Sequence, residues 1–144
     1  MERKKFIKTC CLGGLAIPVL GFGITSCSGI YYAQFNREQH QLKVARSEFQ
    51  NEKDGKTSTR KFVLVKDDSL NYPICLYFEN NHYHAVLLQC THRSCELSVG
   101  GGIYTCPCHG AEFSIDGTVL EGPAEQNLKT FTTHFNNEFI YIEL

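Results

Sequence analysis

The sequence predicts an all-β fold, a small antiparallel sandwich or barrel, over residues 42–144. Short runs rich in β-branched and aromatic residues recur along this part of the chain, and clusters of turn-forming residues separate them. No convincing amphipathic helix interrupts the pattern. Many strands without helices are typical of antiparallel sandwiches and barrels. A domain of about 100 residues has a modest core, so we expect cysteine or metal cross-links to stabilise it.

The predicted strands follow one another at short intervals. In chain order they are Leu42–Phe49, Lys61–Lys66, Ile74–Glu79, His84–Gln89, Gly102–Thr105, Glu112–Ile115, Thr118–Leu120 and Lys129–Glu143. The turn formers between them are Asp67-Asp68, Asn80-Asn81, Gly100-Gly101-Gly102, Asp116-Gly117 and Gly122-Pro123. Asp116-Gly117 predicts a tight hairpin, in which both turn positions have positive φ.

An export signal is predicted ahead of this domain. A charged head at positions 2–8 precedes an uncharged stretch, Thr9 to Ser26, that is rich in Leu, Ile, Val and Gly. The stretch ends in a sequence that resembles a bacterial lipobox, which predicts lipidation of Cys27. An uncleaved membrane anchor is the alternative, because about eighteen apolar residues can just span a bilayer. Residues 3–8 also resemble a twin-arginine signal whose second arginine is lysine. Residues 1–26 are therefore expected to be a signal or anchor and residues 27–41 a tether.

Charge and motifs exclude several functions. The whole chain has a formal net charge of −1, and ten basic and fourteen acidic residues remain without residues 1–26. No basic stripe with interleaved aromatic residues is present, so nucleic acid is not expected as a partner. No hydrolase triad, phosphate-binding loop or catalytic carboxylate pair occurs at recognisable spacing. We therefore expect no catalytic residue of a stand-alone enzyme.

Two cysteine and histidine blocks carry the strongest signal for chemistry. Residues 90–95 read Cys-Thr-His-Arg-Ser-Cys, and ten residues later residues 106–110 read Cys-Pro-Cys-His-Gly. Each block offers a cysteine and a histidine at short spacing in a loop after a strand. Two thiolates and two imidazoles can complete four-fold coordination at a metal centre. Tetrahedral zinc accepts the same donors, so a zinc site is the alternative.

These blocks resemble those of the Rieske family, in which one iron of a [2Fe-2S] cluster takes two cysteines and the other takes two histidines. The resemblance covers residues 42–144 and implies a Rieske domain with a cluster-binding loop subdomain. It implies that Cys90 and Cys106 hold the inner iron and that His92 and His109 hold the outer one.

Two further features of this family are matched. Cys95 and Cys108 resemble the disulfide that joins the two loops in the respiratory and arsenite-oxidase branches, which oxygenase Rieske domains lack. The run Gly122, Pro123, Ala124 resembles the loop that shields the cluster.

The chain departs from the family pattern at four positions. Ala111 and Phe113 stand where high-potential members carry a serine and a tyrosine that donate hydrogen bonds to sulfur, so we expect a lower reduction potential. Arg93 stands where respiratory members carry an apolar residue, which favours docking of a polar or acidic partner over a quinone pocket. Ser94 replaces the usual glycine.

Three residues outside the blocks complete the inventory. Cys75 lies in an apolar run, where a free cysteine is most often a small buried hydrophobic residue. His82 and His84 alternate along one strand and could form a second metal site, although exposed sheet histidines without a metal are commoner.

The function expected from these observations is one-electron transfer by a Rieske [2Fe-2S] protein on the periplasmic side of a bacterial cell envelope, attached to a membrane. The partner would be a cytochrome or the large subunit of an oxidoreductase. The alternative is a structural, accessory or redox-sensing lipoprotein that retains the fold. An oxygenase ferredoxin is disfavoured by the loop-bridging cysteines and the export signal.

Overall fold

Short β-strands and one turn of 3-10 helix make up the part of the chain that the computed structural model describes, residues 29–144. The predicted signal or anchor and the predicted lipidation site Cys27 lie outside the described residues. No helix within residues 29–144 is long and apolar enough to cross a membrane. The all-β prediction is confirmed.

A four-stranded antiparallel sheet forms the middle of the domain, in the order β12-β7-β6-β5. Its strands are β5 (Phe62–Val65), β6 (Ile74–Glu79), β7 (His82–Leu87) and β12 (Thr130–Phe131). Strands β5 and β6 are buried almost throughout, because this sheet is covered on both faces. Successive side chains therefore enter two different cores. Along β7, for example, Ala85 belongs to one core and Val86 to the other.

A second sheet covers one face, in the order β1-β2-β14-β13. Its strands are β1 (Phe35–Glu38), β2 (Gln41–Ala45), β13 (Thr133–Phe135) and β14 (Phe139–Glu143). Leu42 and Val44 of β2 and Ile140 and Ile142 of β14 point inward at every second position and are fully buried. These two sheets form the predicted sandwich.

A third sheet lies on the opposite face and carries the cysteine and histidine blocks. Its order is β11-β10-β9-β8, with β8 (Ser98–Gly100), β9 (Ile103–Thr105), β10 (Glu112–Ser114) and β11 (Val119–Glu121). Tyr104 and Phe113 are fully buried and pack with Cys75 and Val86 of the middle sheet. This subdomain therefore has a core of its own that rests on the sandwich.

The predicted hairpin at Asp116-Gly117 forms, but its turn differs from the expectation. Strands β10 and β11 pair with a register shift, Ser114 accepts a hydrogen bond from the Gly117 N–H, and only Gly117 has positive φ, at 88°. A longer loop with one left-handed glycine thus replaces the two-residue turn. The tight turn occurs instead between β8 and β9, where Gly101 and Gly102 both have positive φ and Gly100 pairs with Ile103.

The folded domain begins earlier than the predicted tether suggested. Ala33 is buried in the sandwich core, and β1 pairs with β2 from Phe35 to Glu38. Arg37 of β1 donates a hydrogen bond to the buried carboxylate of Asp67, in the loop after β5. Burial alone would raise the pKa of Asp67, but the bonds from Arg37 and Ser69 outweigh burial and lower that pKa. Residues 33–38 are therefore held by packing, strand pairing and charge.

Other strand boundaries differ as well, and the predicted run Lys129–Glu143 is divided into β12, β13 and β14. A 3-10 turn, Arg46–Phe49, ends the predicted strand Leu42–Phe49 after Ala45, and it turns Phe49 into the core. A polar hairpin of β3 (Gln50–Lys53) and β4 (Lys56–Thr59) follows, which the sequence analysis missed.

Candidate metal centre

Two loops with the same backbone hydrogen-bond pattern carry the predicted ligands. In the first, the Cys90 N–H donates to the Cys95 carbonyl at 2.9 Å, and the Ser94 N–H donates back to the Cys90 carbonyl at 2.8 Å. In the second, the Cys106 N–H donates to the Ala111 carbonyl at 2.8 Å, and the Gly110 N–H donates to the Cys106 carbonyl at 3.0 Å. We refer to residues 90–95 as loop 1 and residues 106–111 as loop 2. Each loop therefore folds back on its own cysteine.

The two predicted thiol ligands are buried and lie against each other. Cys90 is 1% exposed and Cys106 is 2% exposed, and both are free of disulfides. Burial raises the pKa of Cys90, and the Cys106 thiol beside it raises that pKa further. Burial would raise the pKa of Cys106 as well, but the backbone N–H groups of Cys108 and His109 and the Cys90 side chain lower it. These backbone N–H groups favour the thiolate form of Cys106.

The two predicted imidazole ligands lie beside each other as a pair. The ring centroids of His92 and His109 are 4.8 Å apart and the ring planes are almost perpendicular, at 85°. His109 is exposed and His92 is partly buried. The Nδ1 atom of His92 is buried without a hydrogen-bond partner, a position that normally costs free energy. A histidine nitrogen that binds a metal needs no hydrogen-bond partner in the protein. The unpartnered Nδ1 atom of His92, next to a second imidazole, therefore fits a metal ligand.

A disulfide joins the two loops. The predicted bridge between Cys95 and Cys108 is present, and it closes a sequence separation of 13 residues. The sulfur atoms of Cys95, Cys106 and Cys108 lie within 4.8 Å of one another. This sulfur group is not itself a ligand set, because two of its members are bonded to each other. It shows instead that the disulfide lies directly beside the Cys106 thiol.

The predicted shielding loop packs beside loop 1. Ala124 is buried in the same core as Cys90 and Cys106, whereas Gly122 and Pro123 are exposed. The Thr91 hydroxyl donates a 2.6 Å hydrogen bond to the Gln126 carbonyl. Loop 1 and the chain after Pro123 are therefore attached to each other.

Ser94 takes the left-handed conformation, with φ at 57°, while the matching position of loop 2 is Gly110, with φ at 78°. A side chain is disfavoured at positive φ. Two contacts hold Ser94 there: Tyr72 donates its hydroxyl to the Ser94 carbonyl, and Gln89 donates to the Ser94 Oγ at 3.0 Å. Sequence analysis missed Tyr72 and Gln89, because neither belongs to a ligand motif.

The positions of the absent hydroxyls are occupied by buried apolar groups. Ala111 and Phe113 are fully buried in the core of the ligand-bearing subdomain and offer no hydrogen-bond donor from their side chains. Arg93, at the tip of loop 1, is exposed.

Cys75 lies away from the ligand set. It is fully buried, and burial raises the pKa of its thiol to about 12. It therefore stays protonated and behaves as the small hydrophobic residue that its sequence context indicates.

This donor set fits a [2Fe-2S] cluster with mixed ligands. Two buried sulfurs that receive backbone N–H groups suit an inner iron, and two imidazoles at the rim suit an outer one. Cys90, Cys106, His92 and His109 would hold the group.

Comparison with protein families agrees with this geometry. The family model described as Rieske [2Fe-2S] domain matches residues 36–132. The chain is 40% identical over 42 residues to the cytochrome b6-f complex iron-sulfur subunit of Synechococcus sp. (strain JA-2-3B'a(2-13)), a match that covers 28% of this chain and 24% of that protein. It is 38% identical over 63 residues to the cytochrome b-c1 complex subunit Rieske-3, mitochondrial, of Nicotiana tabacum. This match covers 42% of this chain and 24% of that protein. The chain thus spans about a quarter of the length of these relatives.

Solved structures also resemble the chain. The cyanobacterial plasma membrane Rieske protein PetC3 from Synechocystis PCC 6803 superposes with a TM-score of 0.52 at 30% identity, covering 58% of this chain and 87% of that one. A chain from the complex of reduced oxygenase and oxidized ferredoxin in carbazole 1,9a-dioxygenase superposes with a TM-score of 0.55 at 22% identity. The superposition covers 74% of this chain and 94% of that one. The second likeness concerns the fold alone.

Proposed function

Because the chain belongs to the Rieske [2Fe-2S] family, we propose that it transfers single electrons as an exported, membrane-anchored redox protein or as a subunit of an oxidoreductase complex. The Rieske cluster that the family carries supplies a one-electron couple when bound. The protein's own residues determine where the cluster would be bound, how well it would be shielded from water and which surface a redox partner would contact.

The asymmetry between thiols and imidazoles carries this proposal. Cys90 and Cys106 are buried, whereas the His92 and His109 pair lies at the rim, with His109 exposed. A redox partner would therefore approach at the imidazoles, where the distance to the centre is shortest. The thiols would meanwhile be shielded from water and oxidants by the core around them.

Arg93 sets the character of the docking surface in this proposal. It is exposed, and it lies one residue from His92 at the tip of loop 1. A guanidinium beside the rim attracts a polar or acidic partner and disfavours an apolar pocket. We propose a cytochrome or an oxidoreductase large subunit as that partner. The relatives named as subunits of cytochrome b6-f and cytochrome b-c1 complexes support the same class.

We propose that the protein resides on the periplasmic side of a bacterial cell envelope, attached by lipid at Cys27 or by its N-terminal apolar stretch. The disulfide between Cys95 and Cys108 supports an oxidising compartment. The likeness to a plasma membrane Rieske protein supports attachment to a membrane.

Electron paramagnetic resonance of the purified full chain, before and after reduction, tests the proposal when it is combined with a redox titration. We expect a rhombic signal upon reduction, with an average g value below that of all-cysteine clusters. Cys106→Ala should abolish the signal, and Cys75→Ala is the matched control that should retain it. A silent sample with stoichiometric zinc, or a cluster that accepts no electron reversibly, would contradict electron transfer. The second outcome would favour the structural or accessory role.

The same titration tests the low potential expected from Ala111 and Phe113. Ala111→Ser and Phe113→Tyr each add one hydroxyl at the positions where high-potential relatives carry donors. Hydrogen bonds to sulfur favour the more negative, reduced state, so each variant should raise the midpoint. Ser114→Ala, a neighbouring hydroxyl whose contacts are with Asp116 and Thr118, is the control and should leave the midpoint unchanged. A wild-type midpoint as high as that of quinol-oxidising complexes would contradict the expectation.

A further inference from the structure

A second pair of imidazoles lies on the middle sheet, outside the ligand loops. His82 and His84 are two residues apart on β7, so their side chains leave the same face of the strand. Their ring centroids are 4.8 Å apart, with the planes at 77°. His82 is exposed and His84 is partly buried. The spacing between the rings equals that of His92 and His109 in the metal centre.

Two carboxylates approach the same pair. Glu79 of β6 is the direct cross-strand neighbour of His82, and such neighbours have Cβ atoms about 5 Å apart. Asp116 reaches His84 from the loop between β10 and β11 and interacts with it electrostatically. His82, His84 and Asp116 line one open cavity of about 290 Å³, together with threonines of β12 and β13.

The fold fixes the backbone beside Asp116. Gly117 packs closely against β12 and the residues before it, since a Cβ there would lie 3.3 Å from both the Leu128 and Thr130 side chains. The Gly117 carbonyl also accepts a 2.8 Å hydrogen bond from the Leu128 N–H. Asp116 Oδ1 accepts from the Thr118 N–H at 3.1 Å, which leaves its second oxygen free of the hydrogen bonds that shape the turn.

We propose that His82 and His84 bind one divalent transition-metal ion of the class that prefers imidazole, such as Zn²⁺ or Cu²⁺, and that the Asp116 carboxylate completes the site. Two imidazoles and one carboxylate are a common donor set for such ions. Glu79 adds negative charge beside the ion.

The site closes when the metal binds. Among residues 29–144, the sulfur group of Cys95, Cys106 and Cys108 is the only set of three such donors whose ligand atoms already lie within 4.8 Å of one another. The ligand atoms of His82, His84 and Asp116 do not meet this criterion, so their side chains must move closer together when the ion binds. Such rearrangement costs free energy, so we expect a reversible, regulatory or scavenging site rather than a metal needed for folding.

Zinc titration of the full chain with its cluster in place tests the proposal, because the loaded cluster blocks the thiols and imidazoles of loops 1 and 2. A chromophoric chelator competing for Zn²⁺ reports affinity and stoichiometry, and the cluster resonance reports the folded state. We expect one Zn²⁺ per chain. His84→Gln and His82→Gln should each remove measurable binding, and Asp116→Asn should weaken it about tenfold.

His134→Gln is the matched control. His134 is also an exposed strand histidine beside a carboxylate, Glu143 at 3.6 Å, but its ring stacks on Tyr141 and not on a second imidazole. This variant should bind zinc as the wild type does. The proposal would be overturned if the wild type bound no zinc. It would also be overturned if His82→Gln and His84→Gln, each with an intact cluster resonance, bound zinc as tightly as the wild type does. A purified wild-type chain that shows no cluster resonance before zinc is added would instead contradict the proposed electron-transfer function.

Discussion

The two ligand loops reach the same backbone shape by different means. Both fold back on their cysteine with one forward and one returning hydrogen bond, and both need a left-handed residue at the fifth position. Loop 2 uses Gly110, which adopts positive φ without steric cost. Loop 1 uses Ser94 and adds two side-chain contacts, from Tyr72 and Gln89, to hold it.

The difference shows where each loop takes its rigidity from. Loop 2 has a glycine of its own at the left-handed position, and no heavy atom outside its chain neighbours lies within 4 Å of a Cβ placed on Gly110. Loop 1 depends on the sandwich, because Tyr72 belongs to the loop between β5 and β6 and packs against the sandwich core. Loop 1 is also attached to the shielding loop through Thr91 and Gln126. Changes in the sandwich should therefore reach His92 more readily than His109.

The largest effect is expected from breaking the covalent link between the loops. Replacing both Cys95 and Cys108 by Ala removes a bridge over 13 residues, and loops of about that length give roughly 3 kcal/mol of stabilisation. We expect a lower denaturation midpoint and faster loss of the cluster resonance on dilution into chelator. Cys75→Ala, which removes a buried thiol outside the loops, is the control for a lost sulfur. Equal cluster loss in the two proteins would show that the bridge does not hold the loops together.

A serine placed in loop 2 should cost more than it does in loop 1. Gly110→Ser meets no steric clash, so its cost is that of a side chain at positive φ, about 1–2 kcal/mol. The loss should appear as a lower urea midpoint with an unchanged slope. Gly110→Asn is the matched variant, because asparagine tolerates this conformation better, and it should recover part of the loss. A fully stable Gly110→Ser protein would contradict the view that glycine shapes loop 2.

The ligand set and its disulfide could be predicted from the sequence because four ligands and two bridging cysteines occur in two short blocks. The disulfide is present, Cys90 lies beside Cys106 and His92 lies beside His109, whereas the assignment of these four residues as ligands stays a prediction. The supports of loop 1 could not be predicted in the same way. Tyr72 and Ser94 are 22 residues apart, and their contact depends on how the sandwich meets the subdomain.

The strands differ in the same way: some could be predicted from neighbouring residues, whereas others depend on contacts between residues distant in the sequence. β-branched and aromatic residues predicted strands over Leu42–Phe49 and Lys129–Glu143. β2 and β14 lie there, and their buried positions recur with period two. The hairpin of β3 and β4 has no apolar face, so periodicity gave no signal, although Asp54-Gly55 at its turn was a usable one. Strand β1 was assigned to the tether because its order comes from pairing with β2 and from the bond between Arg37 and Asp67.

Removing the Tyr72 hydroxyl should loosen loop 1 alone. Tyr72→Phe keeps the ring and deletes one hydrogen bond to the Ser94 carbonyl, a loss of about 1 kcal/mol. We expect faster cluster release and a perturbed resonance of His92 in paramagnetic NMR, with His109 less affected. Tyr31→Phe, which deletes a 2.9 Å bond to Glu48 away from both loops, is the matched control. Equal effects on both histidines would contradict the separate support of the loops.

The smallest effect is expected from making loop 1 resemble loop 2. Ser94→Gly relieves a side chain at positive φ, worth about 1 kcal/mol, but it also loses the bond from Gln89 and adds freedom to the unfolded chain. The net change in the free energy of unfolding should lie within about 0.5 kcal/mol of zero, because these effects have opposite sign. Ser94→Ala separates them, since it loses the bond and keeps the strained backbone, and it should be the less stable of the two variants. If Ser94→Ala were the more stable one, relief of the strain at positive φ would be smaller than the freedom that glycine adds to the unfolded chain. If Ser94→Ala were as stable as the wild type, the bond from Gln89 would contribute nothing.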